Sequence, residues 1–237
     1  MKIEGTIGWD TTSAEFKNEL STKKGDLIIT LNSGGGSIFD GIEIHNAIKD
    51  YDGKVHIEVG ALCASMGTYI AMAGDTIAVR ENSTFMIHNG WTYAMGDHNE
   101  LRKEADNLEA LSKILARAYT KKTSKDEDDI KKAMDNETFY YGGEIVEAGF
   151  ADTVKDDETK ETKEEGFALA KISLQNCQAT YAEKLYKKDH ENMAMILATM
   201  PSVVEKIAGT DGGFTAEQIA VLTEKMSLLK VKIRKVQ

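Results

Sequence analysis

Val55-His-Ile-Glu-Val-Gly60-Ala-Leu-Cys-Ala-Ser65-Met-Gly-Thr-Tyr-Ile70 starts as an alternating apolar run, passes through small residues and continues as an apolar helical stretch. The alternation over residues 54–59 predicts a strand, residues 60–65 a turn, and residues 66–73 a buried helix. A serine at a strand-to-helix corner holds its hydroxyl out of the backbone, as in the nucleophile elbow of hydrolases. The first N–H groups of the following helix have no intrahelical acceptor, and the helix dipole favours negative charge beside them. An oxyanion can therefore sit next to such a hydroxyl. The plainer reading makes Ser65 an ordinary helix cap, and the corner alone does not separate the two.

On the N-terminal side, residues 2–7 read as a strand and Thr12-Ser-Ala-Glu15 as a capping box opening a helix over 13–20. Residues 26–31 are a β-rich run, broken by the glycines of Asn32-Ser-Gly-Gly-Gly36, after which 37–49 carries helical apolar positions. On the C-terminal side, residues 76–80 and 84–87 read as short strands. A helical period spans 99–119, and Ser124-Lys-Asp-Glu127 reads as a capping box for a helix through Met134. A short helix over 144–148 and a strand over 151–155 close the pattern. Strands alternating with helices predict an α/β fold.

The composition then changes. Residues 156–166 are dominated by charge and lack apolar anchors, which predicts a solvated linker. Residues 167–237 read as a mainly helical extension, whose last helix, capped by Thr215-Ala-Glu-Gln218, carries an apolar seam. The domain expectation is therefore 1–155, 156–166 and 167–237. A net charge of -10 argues against sequence-independent nucleic-acid binding, which needs Lys and Arg on phosphates. Cys63 and Cys177 fit no zinc spacing and read as reduced thiols. No metal cluster or nucleotide motif implies a cofactor. No signal-peptide pattern or membrane-length apolar run is present, so the sequence reads as cytoplasmic, with no membrane partner.

Three further segments carry chemistry. In Leu31-Asn-Ser-Gly-Gly-Gly-Ser-Ile38 the glycines let backbone approach a ligand, and a glycine N–H can supply an oxyanion donor. The spacing is neither the dinucleotide fingerprint nor the P-loop, and a tight turn is the plain alternative. In Thr84-Phe-Met-Ile-His-Asn-Gly-Trp91, His88 ends an apolar strand, a rigid place for a general base; a structural histidine is the plain alternative. The stretch from Asp135 to Asp152 offers carboxylates that could orient a histidine, or simply surface charge.

Together these segments resemble the proteolytic subunit of the Clp protease. Asn32-Ser-Gly-Gly-Gly-Ser-Ile is similar to that family's Asn-Ser-Pro-Gly-Gly-Ser-Val, Ala64-Ser-Met-Gly to its Ala-Ser-Met-Gly, and Met86-Ile-His to its Met-Ile-His. Residues 144–152 are similar to its Glu-Ala-x-Glu-Tyr-Gly-Leu-Ile-Asp. The order and intervals agree over about residues 1–155. The branch resembled most is that of prophage head-maturation (prohead) proteases. A long handle-helix position follows Asn99, Asn89-Gly follows the histidine where Gln-Pro is common, and a foreign extension follows residue 155.

The resemblance implies a spiral of repeated β-β-α units with a long handle helix, a fold shared with crotonases. It implies Ser65 as nucleophile, His88 as general base, and the N–H groups of Gly36 and Met66 as oxyanion hole. By register Glu137 takes the place of the family's aspartate, with Asp135 the alternative acid. It also implies a protein or peptide substrate, a homo-oligomeric ring, and capsid, scaffold or portal proteins as partners in a bacterial host cytoplasm. Gly34 replaces the family's proline. The axial N-terminal loop is expected to be missing, so a Clp-type ATPase is not expected as a standard partner. The competing readings are an assembly protein with a weak or inactive protease domain, and a crotonase-like acyl-coenzyme A enzyme.

Overall fold

The computed structural model describes residues 1–92 and 94–155. The expected linker 156–166 and helical extension 167–237 lie outside the described residues. The elements run β1 (Lys2–Ile7), α1 (Ser13–Leu20), β2 (Leu27–Gly36), α2 (Ile38–Lys49), β3 (Val55–Ala64), α3 (Met66–Ala71) and β4 (Thr76–Arg80). They continue with β5 (Thr84–Ile87), α4 (His98–Thr123), α5 (Glu127–Asp135), β6 (Thr138–Tyr141), α6 (Gly143–Glu147) and β7 (Thr153–Lys155). The α/β class expected from the alternation is what forms.

The seven strands make one sheet. Its main path, β1-β2-β3-β4-β7, is parallel throughout. Crossovers between parallel strands need intervening chain, usually a helix, and the helices supply it. Strand residues Ile3, Ile29, Leu31, Ile57, Ile77 and Phe85 are fully buried. Helix α3 is buried along its whole length and packs against β2, β3 and α2.

The sheet branches at β3. Residues His56–Glu58 pair with β4, whereas Leu62–Ala64 pair with β5. Gly60 sits at the fork, its carbonyl accepting from Ser83 Oγ at 2.7 Å. The register of β2 against β3 slips between Leu31 and Ser33. Asn32 covers the slip by accepting from the Leu62 N–H at 3.0 Å, and a Cβ at Gly60 would lie 3.1 Å from the Asn32 Cβ. The small residues of 60–64 are thus strand, not turn, because β5 supplies ladder partners. The glycines of 34–36 likewise belong to β2, where Gly35 and Gly36 pair with Thr6 and Ile7 of β1. Both expectations of a break at glycine are corrected by this pairing.

Helix starts follow their caps. Thr12 caps α1 by accepting from the Glu15 N–H, and the Glu15 carboxylate accepts from the Thr12 hydroxyl rather than from its backbone N–H, so half of the expected box forms. Helix α4 begins earlier than expected, at His98, because Asp97 and Glu100 cap each other. Ser124 does not open α5: it ends α4 in the left-handed conformation (φ 55°), and Asp126 caps α5 instead. The stretch before the last helix also forms β6, antiparallel to β5.

Candidate active site

The ladder lines up the chemistry. Ala64 pairs with Met86, so Ser65 and His88 both lie just beyond the carboxyl ends of neighbouring parallel strands. Ile87 pairs with Thr138 in antiparallel register, so the next step outward sets His88 opposite Glu137. Clefts beyond the carboxyl ends of parallel strands are where α/β sheets place ligands.

His88 Nε2 lies 2.7 Å from Ser65 Oγ. His88 Nδ1 lies 3.5 Å from a Glu137 carboxylate oxygen, a looser contact. For Nε2 to accept the serine proton, Nδ1 must carry the ring hydrogen, and it is this hydrogen that faces Glu137. The His88 side chain is 6% exposed and that of Glu137 66% exposed. Burial pushes the imidazole below its ordinary pKa, and the Glu137 carboxylate offsets this only in part. His88 is therefore neutral at pH 7. A neutral, buried imidazole on a hydroxyl is the arrangement that takes a proton from a nucleophile. Asp135, the alternative acid, does not reach the ring: it accepts from Asn89 Nδ2 at 2.7 Å.

Ser65 does not cap α3 with its side chain, so the plain reading of the corner fails. Its backbone has φ 56° and ψ -124°, a conformation costly for any residue with a Cβ. The same corner recurs between β6 and α6, where Gly142 has φ 47° and ψ -121°. There a Cβ would meet the Glu81 carbonyl oxygen at 2.5 Å, so only glycine fits. At Ser65 room exists because Gly35 stands opposite: a Cβ on Gly35 would lie 2.6 Å from the Ser65 Cβ. Serine is thus kept where glycine would relieve strain. Ser65→Gly and Ser65→Ala both lose the hydroxyl, but the glycine variant is expected to be more stable by about 1 kcal/mol, read as a higher urea midpoint.

The two backbone groups expected to face an oxyanion lie at the start of α3 and at the end of β2. Met66 is the first residue of α3, where an N–H has no intrahelical acceptor. Gly36 ends β2 against Ile7, and it is the Ser37 N–H that donates to the Ile7 carbonyl, at 2.9 Å. Sequence reasoning missed Gly35, which makes the space for the serine, and Ser33, whose Oγ accepts from the Gly35 N–H at 3.1 Å. It also missed Thr68 and Tyr119, hydrogen-bonded to each other behind the corner.

A serine hydroxyl on a buried neutral imidazole with a carboxylate behind it, at the mouth of a parallel sheet, is the kind of arrangement that serine hydrolases use. The chain belongs to the Clp protease family, whose model matches residues 16–158, and it is a serine-type peptidase. It is 33% identical over 134 residues to the ATP-dependent Clp protease proteolytic subunit 2 of Parasynechococcus marenigrum, covering 55% of this chain and 68% of that one. Over the same length and shares it is 32% identical to proteolytic subunit 1 of Prochlorococcus marinus. Similarity to the proteolytic subunit of Pleurastrum terricola is 30% over 132 residues, 54% of this chain and 67% of that one.

Proposed function

We propose that the chain is an endopeptidase in which Ser65 attacks the scissile carbonyl, and that the 2.7 Å contact of Ser65 Oγ with His88 Nε2 is the observation that carries this reading. His88 takes the serine proton as the tetrahedral intermediate forms and delivers it to the leaving amine, giving an acyl-enzyme. Water then enters, His88 takes its proton, and collapse of the second intermediate returns the proton to Ser65 as the acid product leaves. The N–H groups of Gly36 and Met66 hold the oxyanion in both intermediates. Glu137 orients the ring and favours its charged form. A cavity of about 270 Å³ lined by Asn89, Gly90, Leu108, Ser112, Met134 and Asp135 begins at the residue after the base and offers room for a substrate side chain.

Membership of the Clp family supports a protein substrate and a ring of identical subunits. The Asn89-Gly pair after the base, the long α4 and the extension after residue 155 support the finer reading, a prophage head-maturation protease acting on capsid or scaffold proteins. Among the described residues no helix is long and apolar enough to cross a membrane.

Labelling with a fluorophosphonate probe tests the site. The wild type is expected to label, and Ser65→Ala and His88→Ala are not. A folded wild type that resists the probe would contradict the proposed nucleophile. Co-expression with a phage scaffold protein tests the finer reading: a scaffold left intact by wild type and by Ser65→Ala alike would count against it.

The pH dependence has a defined sign. Activity requires neutral His88, whose pKa burial holds below the ordinary value of about 6.5. The acid limb of labelling is therefore expected below pH 6.5. Glu137→Gln removes the charge that raises this pKa, so the limb should move further down while the plateau rate falls by about 10- to 100-fold. That loss is smaller than the roughly 10⁴-fold seen for a buried acid, because Glu137 is largely exposed. The same shift acts on folding. With the folded pKa below the unfolded one, the stability from keeping His88 neutral is present above about pH 6.5 and is lost as pH falls through the folded value.

A further inference from the structure

The hydroxyl of Tyr119 sits inside the core, where phenylalanine would avoid burying a polar group. Tyr119 belongs to α4, and its oxygen lies 2.8 Å from Thr68 Oγ1 on α3. Thr68 Oγ1 in turn donates to the Ser65 carbonyl at 2.5 Å. A threonine hydroxyl has one hydrogen, and this bond uses it, so Tyr119 must be the donor to Thr68. The chain of donors is therefore directed: Tyr119 O–H to Thr68 O–H to the Ser65 carbonyl. Burial raises the Tyr119 pKa far above neutrality, which keeps the phenol a donor.

The same carbonyl also accepts from the N–H groups of Thr68 and Tyr69, at 3.0 and 3.3 Å. The Ser65 carbonyl and the Met66 N–H belong to one planar trans peptide and point in opposite directions. Whatever pins the carbonyl also aims the N–H. Donors on the carbonyl oxygen draw charge from the amide and make its N–H a stronger donor, as in any hydrogen-bond chain. On the other side of the serine, the Ser65 N–H is tied to the Met86 carbonyl at 2.9 Å. Each peptide flanking the nucleophile thus has a hydrogen bond beyond the helical N–H bonds of α3.

We propose that Thr68 and Tyr119 are positioning residues that aim and polarise the Met66 N–H toward the developing oxyanion, so that the core end of α4 supports the chemistry at Ser65. This rests on the reading of Met66 as an oxyanion donor. Neither residue touches the substrate. Both act when negative charge forms, so their loss should slow acylation without weakening initial binding. Removing an oxyanion donor outright costs about 10²- to 10³-fold, and loosening one from behind should cost less.

The test is the rate of fluorophosphonate labelling, resolved into a limiting rate and a half-saturating probe concentration, in the full-length protein. Tyr119→Phe and Thr68→Ala are expected to lower the limiting rate by about 5- to 50-fold. The half-saturating concentration should stay unchanged, and so should the acid limb set by His88. Thr68→Ser keeps the donor and should recover labelling to within about twofold of wild type. A merely structural role predicts instead that Thr68→Ser and Thr68→Ala are alike, or that binding and the acid limb shift with the rate. Wild-type rates in Tyr119→Phe and Thr68→Ala would overturn the proposal while leaving the nucleophile intact. Tyr119→Phe keeps the core volume, so a folded variant is expected even where Thr68→Ala is unstable. Failure of the wild type itself to label would overturn the underlying reading of the site, and this one with it.

Discussion

Ser65→Ala is expected to lower peptide turnover by roughly 10⁴- to 10⁶-fold, His88→Ala by a similar factor, and the double variant by no more than either. The size follows from what each group does. Without the hydroxyl no acyl-enzyme forms. Without the imidazole the hydroxyl keeps its proton at neutral pH and is a poor nucleophile. Because the two act through one hydrogen bond of 2.7 Å, removing the second partner takes away nothing that still works. The measurement is the steady-state cleavage of a fluorogenic peptide that the wild type turns over. Additive losses in the double variant would mean independent roles. A His88→Ala variant with most of its activity would remove the imidazole from the mechanism.

Gly36→Ala is expected to destabilise the fold by about 3 kcal/mol or more and to abolish activity. A Cβ there would lie 2.2 Å from the Ile7 carbonyl oxygen and 2.8 Å from the Ile7 nitrogen, and φ is +146°. The obstacle is backbone of the adjacent strand. It can yield only by opening the β1–β2 ladder and losing the bond from the Ser37 N–H. The control is Gly25→Ala, where φ is +75° but nothing lies within 4 Å. That variant should cost only about 1 kcal/mol of conformational strain. Urea unfolding of both separates close packing from dihedral preference: equal midpoints would mean that β1 moves aside easily.

Local signals carried much of this fold. The box at Thr12, the apolar runs at 76–80 and 84–87 and the periodicity of α4 each report interactions a few residues apart, and each produced the element expected. Glycine misled the reading at 34–36 and at 60, because its low strand propensity is a local property. The ladder bonds from β1 and β5 that hold those residues extended come from distant segments. The serine and the histidine were legible because each ends a recognisable element. The contact of Glu137 with the ring depends on the β5–β6 register, which no short window contains. Thr68 and Tyr119 stand 51 residues apart, and the only local hint was a hydroxyl three residues after Ser65. A sequence reports such a pair only when the fold is already known.

The antiparallel pairing of β5 with β6 also bears on how the molecule can diverge. His88 and Glu137 are held by adjacent rungs, while the whole helical excursion 89–136 leaves and returns between them. Its length is therefore uncoupled from the spacing of base and acid. The first turns of α4, exposed as far as Asn107 apart from half-buried Glu104, can lengthen, shorten or change partners as a modular insert. Phase matters from Leu108 onward, where the helix lines the cavity next to Asn89 and then enters the core, so that Tyr119 faces Thr68. Variation in such an insert changes what the protein reaches, and leaves unaltered what it does to a bond once there.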